Sequence, residues 1–169
     1  MMHPVELFTE QHGNWQQYTQ HLERVQMARH GLIRGEAIPQ AIYLGVLEDN
    51  RVIGHLSLKV QALVVPATEW NHNKEESLLN AAGEALRETF VQTFAVEEAY
   101  RRRGMGTALQ TAAIEATRAS GCYQMRSWSS ADRPANYALK LQMGFAVHPT
   151  TYALPDGRLI SGVYFIWRV

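Results

Sequence analysis

The sequence predicts a mixed α/β domain, and three observations carry that reading. A strand dense in β-formers, Leu86 to Val96, runs through a short loop into a helix and then into a second strand, which is the signature of a parallel crossover. A hairpin precedes it, turning at Asp49-Asn50. Two further strands close the chain around Pro155-Asp156-Gly157. At 169 residues the chain fits one domain, 1–169.

Taken in order, Asn14 reads as a helix N-cap with Gln17 at the capping-box position. Trp15, Tyr18, Leu22 and Val25 recur at helical spacing, and Gly31 supplies a stop. Ala41 to Leu47 and Arg51 to Val65 form the hairpin strands; Gly54 inside the second marks a bulge or a close backbone approach. Pro66 ends that strand. The polar stretch Ala67 to Ala85 follows, with a short helix expected over Ser77 to Ala82. Glu69, Glu75 and Glu76 in this excursion are candidates to attract a cationic substrate.

After the Leu86–Val96 strand comes the loop Glu97 to Arg103 and a helix over Gly104 to Ala119. Met105, Leu109, Ala112, Ala116 and Ala119 line one stripe of it, and Gly121 closes it. Tyr123 to Ser129 is the next strand. A short helix, Pro134 to Met143, stops at Gly144, and Ala146–His148 and Leu159–Arg168 are the closing pair. The order is β-α, hairpin, β-α-β-α-β-β.

Sixteen basic and sixteen acidic residues give a net charge of +0, which argues against a general nucleic-acid binder; no nucleic-acid partner is expected. No run approaches the roughly 18 apolar residues of a membrane span, so no membrane association is expected. The start of the chain lacks a basic region followed by an apolar stretch, and the single cysteine excludes an internal disulfide. A cytoplasmic protein is the expectation. Seven histidines form no metal-ligand spacing with one another or with Cys122, so no metal is expected. Cys122 reads as a small buried residue.

The chemistry concentrates in Val96-Glu97-Glu98-Ala99-Tyr100-Arg101-Arg102-Arg103-Gly104-Met105-Gly106-Thr107. A strand enters a short loop, and two glycines open a helix. The unpaired N–H groups there and the positive end of the helix dipole suit an anion, above all a pyrophosphate. Glycine admits the ligand close to the backbone, and arginine adds forked donors. The loop is neither a Walker A sequence nor the three-glycine dinucleotide fingerprint.

Arg101-Arg102-Arg103-Gly104-Met105-Gly106 does match the Q/R-x-x-G-x-G/A loop of the GNAT superfamily of N-acetyltransferases. Val96-x-x-x-Tyr100-Arg101, Val52-Ile53-Gly54-His55 after the hairpin turn, and Met143-Gly144-Phe145 also resemble that family, and the element order agrees along most of the chain. The resemblance implies a mostly antiparallel twisted sheet flanked by helices, with the central two strands parallel and splayed. It implies acetyl-CoA as co-substrate and direct attack of an amine on the thioester. By position it makes Arg101, Arg102, Arg103, Gly104, Met105, Gly106 and Thr107 the pyrophosphate binders. The resemblance likewise gives Phe94, Ala95 and Val96 the role of holding the pantetheine arm through their backbone; Asn136, one turn before Lys140, is a candidate to touch that arm.

The family's tyrosine acid for the departing thiolate falls on Lys140 when aligned on Gly144-Phe145, which is a departure. Lys140 is one candidate acid, and Tyr137, one turn earlier, is the other. Glu88 is the candidate base, expected by alternation on one face with Phe90, Gln92 and Phe94, where its pKa would rise. A non-catalytic acyl-CoA-binding module is the alternative. The acceptor, a small-molecule or peptide amine, is not specified by the residues, and a homodimer through the closing strands is left open.

Overall fold

The computed structural model describes residues 4–33, 40–67, 72–154 and 156–169; Glu69 and Pro155 lie outside them. The elements are β1 (Val5–Phe8), α1 (Trp15–Arg24), α2 (Ala28–Gly31), β2 (Ala41–Glu48), β3 (Arg51–Ala62), β4 (Val64–Val65), β5 (Glu76–Ser77), β6 (Arg87–Val96), α3 (Met105–Ala119), β7 (Gln124–Ser130), α4 (Pro134–Met143), β8 (Ala146–Ala153) and β9 (Leu159–Arg168). One seven-stranded sheet has the order β1-β2-β3-β6-β7-β9-β8. Its neighbours are antiparallel except the central pair, β6 and β7.

The β2–β3 turn forms as its sequence dictates. Asp49 and Asn50 both take positive φ, 49° and 61°, the arrangement a two-residue hairpin loop needs to match strand twist. Gly54 is a close approach: a Cβ there would sit 3.3 Å from both Leu109 Cδ1 and Val96 Cγ2.

Two local readings are corrected. The first helix stops at Arg24, not at Gly31, because the chain turns at Gln26 (φ 58°) before α2 begins. Asn14 is its N-cap by position, but its side chain makes no cap hydrogen bond. No helix forms over Ser77–Ala82. Glu76–Ser77 pairs instead with Val64–Val65, and the Asn80 side-chain oxygen accepts from the amides of Ala82 and Glu84. Asparagine offers the backbone that local turn in place of a helical ladder.

The larger core lies between the sheet and α3 and α4, built from Leu56, Leu58, Val91, Leu109, Met125 and Phe165 among others. A smaller cluster, Phe8, Tyr18, Leu22 and Val52, seats α1 on the opposite face. The centre of the sheet is the consequential part. Thr93 pairs with Ser57 and Val91 with Leu58, so Gln92 is an extra residue bulged out of β6. The parallel ladder between β6 and β7 runs from Glu88↔Gln124 to Val91↔Ser127 and ends there. Past the bulge β6 continues to Val96 and β7 to Ser130 without pairing to each other, and a fork opens between them.

Candidate active site

The fork and the start of α3 form one continuous region at the carboxyl end of β6. Glu97 N–H donates to Ile53 O on β3. By strand alternation the amides and carbonyls of Phe94 and Val96 therefore point away from β3, into the fork, while those of Ala95 point to β3. The Val96 carbonyl is reached from that side by Arg101 Nε at 2.9 Å.

Beyond a short 3₁₀ turn at Glu98–Tyr100, the chain passes Arg102 (φ 60°) and enters α3 at Gly104 (φ 81°), the residue most at home in that left-handed region. The first helical bond runs from Ala108 N to Gly104 O, which leaves the amides of Met105, Gly106 and Thr107 without helical acceptors. Arg101, Arg102, Arg103, Gly104 and Thr107 are exposed, and Arg103 lies over the Tyr100 ring. The Met105 side chain is buried in the core, so only its backbone faces outward. A Cβ on Gly106 would meet Leu139 Cδ2 at 3.3 Å and Phe94 Cζ at 3.5 Å, which places β6, α3 and α4 in close contact at the head of the fork.

α4 begins with Pro134 at its first turn and ends at Gly144 (φ 91°). Tyr137 stands edge-on to Phe165, and its hydroxyl approaches the Ser129 carbonyl at 3.4 Å, on the β7 arm of the fork. The Asn136 side-chain oxygen is buried without a partner. Lys140 is fully buried: Nζ donates to Gln110 Oε1 at 2.9 Å and lies 4.4 Å from the centre of the Phe145 ring. Burial pushes its pKa down to about 7.

Glu88 differs from its expected setting. It is fully buried, and its carboxylate accepts from Arg126 Nη2 at 2.5 Å, Arg126 Nε at 3.0 Å, Gln61 Nε2 at 2.9 Å and Gln124 Nε2 at 2.9 Å. Its oxygens are taken up by these donors, so the carboxylate anchors Arg126. It also shares no face with Phe94. The bulge at Gln92 reverses the alternation: Phe94 turns toward α3, whereas Arg126, Glu88's partner, lies over Phe90 on the other face.

A second polar cluster escaped the sequence reading, which tested the histidines only for metal spacing. His21 of α1 and His55 of β3 are both fully buried, with His21 Nε2 2.9 Å from His55 Nδ1. His21 Nδ1 lies 3.3 Å from Glu97 Oε1 and 3.1 Å from Arg24 Nη2. Arg24 and Arg51 also hold Glu97 directly, at 2.6 and 2.7 Å. The available signal was positional: His21 follows Tyr18 by three residues on the buried stripe of α1, and His55 alternates with Ser57 on β3. A cleft of about 380 Å³ opens beside Glu97, lined by Arg24, Met27, Ala95, Val96 and Arg101. Among the described residues no group of three or more His, Cys, Asp or Glu could hold a metal ion, and no helix is long and apolar enough to cross a membrane. Burial raises the Cys122 pKa and keeps its thiol protonated.

Residues 5–145 match the family model described as Acetyltransferase (GNAT) family. None of the curated proteins is a significant match to the sequence. The chain is similar in structure to Arabidopsis thaliana NAA60 in complex with acetyl-CoA, at 15% identity and TM-score 0.66, covering 98% of this chain and 99% of that one. It is similar to a chain of the NatC complex bound to Gag peptide and CoA, at 13% identity and TM-score 0.66, covering 100% and 99%. The ribosomal-protein-S18-alanine N-acetyltransferase from Escherichia coli aligns at 16% identity and TM-score 0.61, covering 99% and 94%.

Proposed function

We propose that this chain, which belongs to the GNAT acetyltransferase family, transfers an acetyl group from acetyl-CoA to an amine. The observation that carries the reading is the fork opened by the Gln92 bulge, with the uncovered amides of α3 at its head. A pantothenoyl arm is an extended chain of amides. It suits a strand arm whose Phe94 and Val96 amides point into the fork, and a pyrophosphate suits the amides of Gly104 to Thr107 with Arg102 and Arg103 beside them. Ala95 contributes by spacing those two residues rather than by its own amide. The buried, unpartnered Asn136 oxygen is free to accept from an amide of the arm.

In this reading the amine nitrogen attacks the thioester carbon, and the developing oxyanion is met by a backbone N–H of β6. The C–S bond breaks, and the thiolate takes a proton. Tyr137 is the better placed acid, because its hydroxyl stands at the β7 arm. Lys140 is bound instead to Gln110, beneath Phe145, and acts by shaping α4 against α3. The similar structures named for NAA60, NatC and the S18-alanine enzyme make free-amine peptides the first acceptors to try.

The test is a thermal shift with acetyl-CoA, followed by thiol release across a panel of peptide and small amines. Ligand at about a hundred times its Kd adds roughly 2.7 kcal/mol, or roughly 5–11 °C for a chain of this size. No rise at millimolar acetyl-CoA overturns the reading; a rise without thiol release from any amine leaves an acyl-CoA-binding module.

A further inference from the structure

A cavity of about 510 Å³ lies where α2 meets the middle of the sheet, and its polar lining is Arg29, His30, Lys59 and Gln92. We infer that this cavity selects an acceptor amine that carries an anionic group close to its nitrogen, and that Lys59 reads that charge. The inference rests on the acetyltransferase reading and names its substrate class.

The cavity meets the proposed cofactor arm at the bulge. α2 packs on the face of β6 opposite α3: a Cβ on Gly31 would stand 3.1 Å from Thr93 Oγ1, whereas the next residue, Phe94, faces Gly106 of α3. An acyl-CoA arm laid from the α3 end past Val96 and Phe94 comes to the closed end of the fork, where the β6–β7 ladder begins at Val91↔Ser127. Gln92, the bulged residue, stands at that point and lines the cavity. The thioester and the cavity thus approach the bulge from the two faces of the sheet, and an amine held in the cavity attacks there.

Its charge is of one sign. Arg29 and His30 are exposed at the rim, and Lys59 is half-buried on β3. No Asp or Glu lines the cavity, and among the described residues neither Arg29 nor Lys59 makes an ion pair. Glu88, next along this face, is already matched by Arg126, Gln61 and Gln124. A concave surface lined by unmatched cations concentrates anions and repels a second cation. Trp128 adds an independent sign. It stands two residues past Arg126 on the β7 arm, so alternation keeps it on the same face, and its Nε1 is buried without a partner. An indole N–H only donates, so this group too calls for an oxygen from a bound molecule.

Register sets how far the charge lies from the nitrogen. Lys59 pairs with Phe90, two residues before the bulge. Two residues along one strand and one strand across separate Lys59 from the bulge by roughly 8 Å. An extended peptide advances roughly 3.4 Å per residue, so the anion belongs within the first two or three residues of a peptide, or at the far end of a small amino acid. Glu75 and Glu76 do not offset this field. Glu76 pairs with Val65, which lies beyond Lys59 by up to roughly 20 Å of strand.

The test uses short peptides with a free amino terminus that differ only at their second and third residues: Glu at both, Gln at both or Lys at both. Thiol release is read with acetyl-CoA saturating. The acidic peptide should exceed the Gln peptide at least tenfold in kcat/KM, mostly through KM, and the margin should shrink as salt is raised. The same comparison on free glutamate and its diamide separates the sources: a preference among the peptides alone places the anion on a chain, and one for glutamate alone places it on a small molecule. Lys59→Gln should cut the acidic preference at least threefold, and Lys59→Glu should turn it toward the Lys peptide. The acetyl-CoA thermal shift reports that each variant is folded. Equal or better turnover of the uncharged or cationic member in both comparisons overturns the inference, as does an undiminished acidic preference in folded Lys59→Gln. Thiol release from no amine at all, with the acetyl-CoA shift intact, overturns the parent reading of a transferase instead.

Discussion

Lys140→Met puts the buried lysine to a quantitative test. The side chain is fully buried with one partner, Gln110 Oε1, and its pKa is pushed from 10.5 to about 7 by burial. Between those values the unfolded chain binds more protons than the folded one, so stability rises with pH through that window. Below pH 7 lysine is charged in both states and the full penalty applies. Linkage puts the cost of the lysine at about 4 kcal/mol at pH 7 and about 2 kcal/mol at pH 9. Methionine fills a similar length without a charge, but strands Gln110 Oε1 at a cost of about 1–3 kcal/mol. At any one pH these two effects oppose each other and largely cancel. The change in the gap is clean: relative to the variant, wild type should gain about 2 kcal/mol from pH 7 to pH 9. For a chain of this size that is roughly 4–8 °C in Tm, read by paired thermal melts across the range. Other titrating groups are common to both proteins and cancel. Parallel Tm–pH curves would refute the claim that Lys140 is desolvated in the folded state.

Four further outcomes follow from the site. Thr107→Glu puts an anion in the first turn of α3, where it should leave the stability equal or slightly higher, by up to about 1 kcal/mol; the acetyl-CoA thermal shift should vanish, and its survival would move the phosphate site elsewhere. Tyr137→Phe should lower kcat at least tenfold, and by up to the roughly 10²–10⁴ that general acid–base catalysis contributes, with acetyl-CoA affinity unchanged in a titration. Glu88→Ala strands Arg126 and should destabilise by about 3 kcal/mol in chemical denaturation, whereas a stable but inactive variant would restore Glu88 as the base. Gly162→Ala should cost roughly 1–3 kcal/mol, because its Cβ would run into the Ser129 backbone; a neutral effect would contradict the β7–β9 spacing.

Much of this protein was written locally. Asp49-Asn50 determined a hairpin turn, because few other pairs take two positive φ values cheaply. Gly104 and Gly144 determined where a helix starts and where one ends, and the run Leu86–Val96 determined a strand. The geometry of the loop before α3 was legible for the same reason: the backbone amides proposed to bind the anion take their position from a strand, two glycines and a helix start. The first helix and the Ser77–Ala82 segment were misread where a turn at Gln26 and a side-chain bond from Asn80 overrode periodicity.

The rest depended on contacts between distant segments. Strand alternation put Glu88 and Phe94 on one face, but a single bulged residue, Gln92, separated them, and a bulge is defined by a partner strand that periodicity does not contain. Lys140 looks like any helical lysine until Gln110, thirty positions away, supplies its acceptor and Phe145 its roof. His21 and His55 lie 34 residues apart and meet only because α1 packs across β3. The sequence determined turns, caps and strands, because these depend on neighbours within a few residues. Only the tertiary structure decided which polar groups are dry, paired or left unpaired, because the dielectric around a side chain is set by whatever the whole chain folds over it.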